Sequence, residues 1–280
     1  MFIIKERVMA DLAFNKTEKS KKWRKQNMLI IGPPKIGKSE LLAQDGTLFL
    51  DCEGGLNHLS CIKYPENRPF LDWDEMEGYV DKLVAMKQKG TFPANIDCIV
   101  VDTATRFTQL ATDKTVDIYI SKLTKGDNAP EFKTIEEIPL GGDKGNPGWA
   151  TRQNLIQGMS NKLKQLEVCV VWIGHLDHKK IKTDVNGTVV EIDKTTISIG
   201  GQVGKFLVSD PDHILNMVAI NDGGIIKRTV RTIGTASMDA GSRGRCIPDG
   251  WKLENPKSLK DEDLMEAAKL NYTKLRSFFE

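Results

Sequence analysis

The sequence has no long hydrophobic run. Its longest apolar stretch, Val168 to Ile173, is six residues, against the roughly 20 that a bilayer-spanning helix requires. A spanning helix is excluded and no membrane partner is expected. Cysteine is scarce and unpatterned: five residues, an odd number, with no pair in CxxC spacing. That excludes a disulfide framework and a zinc ribbon; Cys98 and Cys169, inside apolar runs, read as reduced thiols of a cytoplasmic protein. Nor is there a surplus of one charge. Forty Lys plus Arg against 38 Asp plus Glu leave +2, so any surface that meets nucleic acid is local. The opening MFIIKERVMADLAFNK sets Lys5 directly behind Ile4 and lacks the apolar core of a secretory signal, so none is expected. What remains is an ordinary globular mixture, 40% hydrophobic and 28% charged over 280 residues. A chain of that length buries a sizeable core as one large domain or two small ones.

Residues 15–25 hold six cations and one anion around Trp23, then give way to the apolar Met28–Ile31. Residues 1–26 therefore read as a basic lead-in, 27–256 as the core and 257–280 as a C-terminal helix. Within the core, strands are expected up to Gly32, over Thr47–Cys52, over Cys98–Val101 and over Val168–Ile173. Helices are expected over Ser39–Gln44, from Asp72 (an N-cap, with Glu75 completing a capping box), over 104–123 and over 150–166. Asn186-Gly187 between short β-prone runs signals a hairpin. Residues 124–148 are rich in Gly and Pro and read as a long loop. Strand and helix in alternation predict an α/β fold with a mostly parallel central sheet and flanking helices.

The sharpest motif is Gly32-Pro33-Pro34-Lys35-Ile36-Gly37-Lys38-Ser39, a gapless GxxxxGK[ST]. At ordinary residue frequencies about one chain in a hundred of this length matches by chance, and here the match follows a buried strand and precedes a helix. Glycines let backbone N–H groups close on phosphate oxygens, and the helix start adds partial positive charge. Lys38 would reach the β- and γ-phosphates and the Ser39 hydroxyl would ligate Mg²⁺. Gly32 through Glu40 is thus the expected nucleotide-binding segment. A nucleotide-bound cation wants a second anchor at a strand end, and Asp102 suits. Hydrolysis also needs a group to prepare water. Glu53 is the best candidate, because parallel strands deliver their ends to the edge that holds the phosphate loop; Asp51 competes with it.

Other constellations are weaker. His175-Leu-Asp177-His178 has metal-ligand residue types, but along a strand i and i+3 face opposite ways, which argues against zinc. His58 and His213 read as ordinary polar or partly buried histidines. Cys52 has no activating neighbour in sequence and reads as packing. Lys227, Arg228, Arg231, Arg243 and Arg245 face only Asp239 over residues 223–246; an arginine finger, a phosphate contact and a plain basic surface are equally open. The KKWRK at 21–25 fits either single-strand stacking or a solvated lead-in with an anchoring Trp.

GPPKIGKS (32–39), LFLDCEGGLNHL (48–59), IVVDTATRF (99–107), VVWIGHLDHKK (170–180) and ISIGGQVGKF (197–206), in this order, resemble the RecA-like P-loop ATPases. The likeness is strongest to the short, phage-encoded, core-only type associated with single-strand annealing and recombination, and it spans residues 27–230. It implies ATP with Mg²⁺, Glu53 as the activator of water and Asp102 as support for the metal. It implies that His175 senses the γ-phosphate and relays its state to a DNA-binding loop at Asp177–Gly201, a first such loop falling in 124–148. It further implies single-stranded DNA as partner, a ring or filament with ATP between subunits, a phage single-strand-binding protein as associate, and the host cytoplasm as location. Two rival readings stand beside this: a P-loop small-molecule or nucleotide kinase with Arg243 and Arg245 as lid, and a nucleotide-switch loader or scaffold of phage replication.

Overall fold

The computed structural model describes residues 22–123, 132–139, 146–185, 188–222, 225–258 and 260–279, with no side-chain description for 123, 183–185, 188, 222 and 225. The apolar runs become strands buried on both faces. β1 (Asn27–Gly32), β2 (Thr47–Asp51) and β4 (Cys98–Asp102) have every residue buried. β3 (Ile62–Tyr64), β5 (Cys169–Val185) and β7 (His213–Asp222) lie parallel to them, in the order β7-β1-β5-β4-β2-β3. β8 (Ile225–Arg231) and then β10 (Trp251–Lys252) extend the β7 edge antiparallel, and β9 (Gly241–Ser242) pairs with the start of β7.

Successive strand residues alternate between the two faces, so each strand feeds two cores. Leu29, Ile31, Leu50, Val101 and Trp172 join the face covered by helices α2 (Trp73–Gln88), α3 (Ala104–Leu123), α4 (Pro147–Lys164) and α5 (Gly201–Ser209). Met28, Ile30, Phe49, Val100 and Ile173 join the other, under α1 (Lys38–Leu42) and α6 (Asp261–Ser277). Near-continuous apolar strands are what double coverage of a parallel sheet requires. Asp72 caps α2 by accepting the Glu75 N–H at 2.8 Å. Glu75, however, turns its carboxylate to Arg68 and the Leu71 N–H rather than back to Asp72, so the box is only half closed.

Two expectations change and one open alternative is decided. α4 starts at Pro147, with Asn146 as its cap, because Pro is preorganised for a first helical turn. β5 does not stop at Ile173 but runs on to Val185, pairing with β6 (Thr188–Ile197); the turn residues Asn186 and Gly187 lie outside the described residues. The segment expected as a second DNA-binding loop is therefore largely a β-hairpin. Trp23 is buried in edge contact with Tyr272 and near Phe279, both of the C-terminal segment; it is the anchoring Trp and no stacking platform. Of the long loop at 124–148, residues 124–131 and 140–145 lie outside the described residues, including much of the expected first DNA-binding loop. Between them a single turn at Ile135–Glu137 buries Ile135 against Val116.

Candidate functional site

Four strands bring their ends to one edge. Gly32, the last residue of β1, is level with His175 on β5; Ile173 is level with Asp102 on β4, and Asp102 with Asp51 on β2. Gly37, which precedes α1, sits at φ +96°, a left-handed conformation natural to glycine. The loop therefore turns sharply before Lys38. The Lys38 ammonium folds back on the loop and donates to the carbonyls of Gly32 at 2.9 Å and Pro33 at 2.8 Å. Burial lowers its pKa, with Asp102 and Glu53 pulling the other way.

The Ser39 hydroxyl donates to Asp102 at 2.6 Å. Burial lifts the Asp102 carboxyl to about 6, with the Ser39 bond opposing and the Glu53 and Asp51 charges adding to the rise. Asp102 forms no ion pair among the described residues. A hydroxyl and a buried, undercompensated carboxylate in contact form a hard-oxygen pair that fits a divalent cation. Glu53, half exposed, accepts from the Thr103 hydroxyl at 2.9 Å and lies 3.5 Å from His175 Nε2. Asp51 is instead fully buried, paired with Lys63 at 3.3 Å and accepting the Gly54 N–H at 2.6 Å. Those bonds commit Asp51 to holding the turn that presents Glu53.

Gly174 precedes His175 for a packing reason: a Cβ there would lie 2.9 Å from the Ile197 side chain of β6. The hairpin begins immediately afterwards. Its first pair is Leu176 with Ile197, and the Ser198 N–H donates to the His175 carbonyl at 2.9 Å. The zinc reading has no support in geometry, for no cluster of three metal-ligating side chains occurs among the described residues and His178 lies against Thr195. Cys52 is buried, which pushes its thiol pKa well up, consistent with packing.

The basic cluster of residues 223–246 is dispersed by the fold. Arg231 pairs with Asp249, and Arg243 with Asp212. Arg243 follows Ser242, which is level with His213 and so with Met28 at the start of β1. That is the opposite edge from the phosphate loop, on the order of 15 Å away along the strand. Arg243 is not a lid over this site. Arg228 reaches the loop, donating to the Ile36 carbonyl at 3.2 Å.

Residues 24–244 match the protein family described as AAA domain. The chain belongs to that family. This AAA domain is a nucleotide-binding ATPase whose phosphate loop follows β1 of a mostly parallel sheet flanked by helices on both faces. No curated protein matches it. Among solved structures, the KaiC-like protein PH0186 from Pyrococcus horikoshii OT3 aligns at 9% identity over 74% of this chain and 77% of its own, with a TM-score of 0.37. The RadB recombinase aligns at 14% identity over 81% of this chain and 84% of its own, also with a TM-score of 0.37. No helix among the described residues is long and apolar enough to cross a membrane.

Sequence reasoning missed Thr103, Lys63 and the particular place of Arg228. Thr103 follows Asp102 directly, so a hydroxyl beside the strand-end carboxylate was there to be read. Lys63 and Arg228 reach the site only through strand pairing across the sheet.

Proposed function

We propose that this AAA domain hydrolyses ATP at the strand-exit edge and couples the reaction to single-stranded DNA bound along the β5–β6 hairpin. The observation that carries the reading is the approach of His175 to Glu53 at 3.5 Å on a strand that continues unbroken into that hairpin. Lys38 and the loop N–H groups hold the phosphates. Ser39 and Asp102 hold Mg²⁺, which when bound neutralises phosphate charge as it develops. Glu53, steadied by the Thr103 hydroxyl, accepts a proton from the attacking water. His175 responds to the terminal phosphate, and because it shares its backbone with the hairpin base, a change there moves with the hairpin.

Lys179, Lys180, Lys182 and Lys194 lie on the hairpin, with Lys180 and Lys182 exposed. Lys194 is tied to Asp239 at 2.6 Å and Lys179 to Asp177 at 3.7 Å, while Lys180 has only a long, exposed pairing with Glu191 at 3.9 Å, so exposed Lys180 and Lys182 are the better phosphate contacts. The resemblance to core-only recombinases supports placing the activity in phage annealing or recombination, with protomers in a ring or filament. The test is phosphate release from ATP with single-stranded DNA, with duplex and with neither, using Lys38→Ala as blank. Stimulation by single strands over duplex is the expected result. Release indifferent to DNA would remove the nucleic-acid half of the reading and leave a nucleotide switch.

A further inference from the structure

Arg228 stands on β8, outside the phosphate loop in sequence by almost the whole core, yet its guanidinium is spread over three partners. Nη1 donates to the Ile36 carbonyl at 3.2 Å, Nη2 to the Glu254 carbonyl at 2.9 Å and Nε to Asn255 Oδ1 at 3.0 Å. Nη1 also fills the space beside Gly37, where a Cβ would lie 2.6 Å from it. Gly37 is thus required twice, by its φ of +96° and by the arginine that occupies its side-chain volume.

The Ile36 carbonyl and the Gly37 N–H belong to one planar trans peptide and point opposite ways. A donor that fixes the carbonyl therefore fixes the N–H as well, turned away from Arg228. Glu254 in turn is held by Asn271, a buried residue of α6, whose Oδ1 accepts the Glu254 N–H at 2.7 Å and whose Nδ2 donates to the Glu254 carbonyl at 3.0 Å. A continuous polar path leads from the C-terminal helix to the middle of the phosphate loop.

We infer that Arg228 is a positioning residue for nucleotide binding: it sets the Ile36–Gly37 peptide of its own chain's phosphate loop and ties that loop to α6. The inference rests on the nucleotide reading of the loop. Lysine cannot replace the fork, because a single ammonium does not span three fixed acceptors with the planar geometry of a guanidinium. Losing the bond to Ile36 frees the peptide to rotate, and the Gly37 N–H is then ordered only when phosphate arrives.

The experiment compares wild type, Arg228→Met and Arg228→Lys for binding of a fluorescent ATP analogue with Mg²⁺, and for melting temperature with and without ADP. Arg228→Lys carries the test should Arg228→Met not fold. The expected result is binding weaker by about tenfold or more, the scale of one charge-assisted hydrogen bond. The variants' melting temperatures without nucleotide stay close to wild type and their ADP-induced rise shrinks. In turnover, KM for ATP rises while kcat at saturation falls far less. Unchanged affinity in both variants would overturn the inference, and so would a lower melting temperature with a full ADP-induced rise, the mark of a purely structural arginine. Failure of wild type to bind the analogue would overturn the nucleotide reading itself, an outcome told apart because it appears before any variant is compared.

Discussion

At the edge where the parallel strands begin, Asp212 pairs with Arg243, Asp210 with Lys164, and the His213 ring lies between Ser242 and Gln26 at 3.0 and 2.9 Å. At the edge where they end, among the described residues, Lys38 is satisfied only by carbonyls, Asp102 only by a hydroxyl, and His175 Nδ1 is buried without a hydrogen-bond partner. The two edges draw on the same residue types. At the first they neutralise each other, and the 710 Å³ cleft lined there by Arg24, Lys164 and Arg243 is flanked by Asp210 and Asp212. At the second, Asp51 is paired with Lys63, whereas Lys38 and Asp102 form no ion pair among the described residues, and an incoming anion and cation would complete the set. Cleft size is thus a poor guide to the chemistry; unfinished pairing is a better one.

The sharpest way to break this contrast is Glu53→Gln. It should lower ATP turnover by about 10²- to 10⁴-fold, the range of a lost general base, and leave nucleotide binding intact; equal turnover would unseat Glu53. Asp51→Asn, two residues earlier, should act on stability instead, costing about 3–5 kcal/mol in denaturant unfolding as a broken buried ion pair. Beside the strand-start cleft, burial lowers the His213 pKa to about 4 from 6.5. The folded state therefore resists protonation that the unfolded state accepts, so stability present above pH 6.5 is lost as pH falls toward 4. The loss is on the order of 3 kcal/mol, and His213→Gln should flatten that part of the stability–pH curve. The smallest effect is expected for Arg243→Ala, an exposed pair worth about 0–1 kcal/mol, with turnover unchanged at saturating ATP.

The sequence made local features legible. Strand ends at Gly32 and Asp102 and the span of α3 follow from apolar runs and punctuation, and GPPKIGKS names its own chemistry. It ranked Glu53 above Asp51 but kept Asp51 in competition, since both lie at the end of the same strand; the partner that occupies Asp51 is Lys63, on a neighbouring strand. It grouped Arg228, Arg231 and Arg243 because they are close along the chain, whereas β8 and β9 carry them to separate places. Trp23 reads as an aromatic among cations until α6 returns from the far end of the chain to cover it. In each case the deciding contact joins separate elements, 12 residues apart for Asp51 and Lys63 and 192 for Arg228 and Ile36, where composition and periodicity carry no information.

The central claim is that the strand-exit site and the hairpin act together through His175. Its most direct test is the ratio of phosphate release with single-stranded DNA to release without it, measured for wild type and for His175→Ala. The account predicts a ratio well above one for wild type and a fall toward one for the variant, whatever its basal rate. A variant that keeps the full wild-type ratio would contradict it.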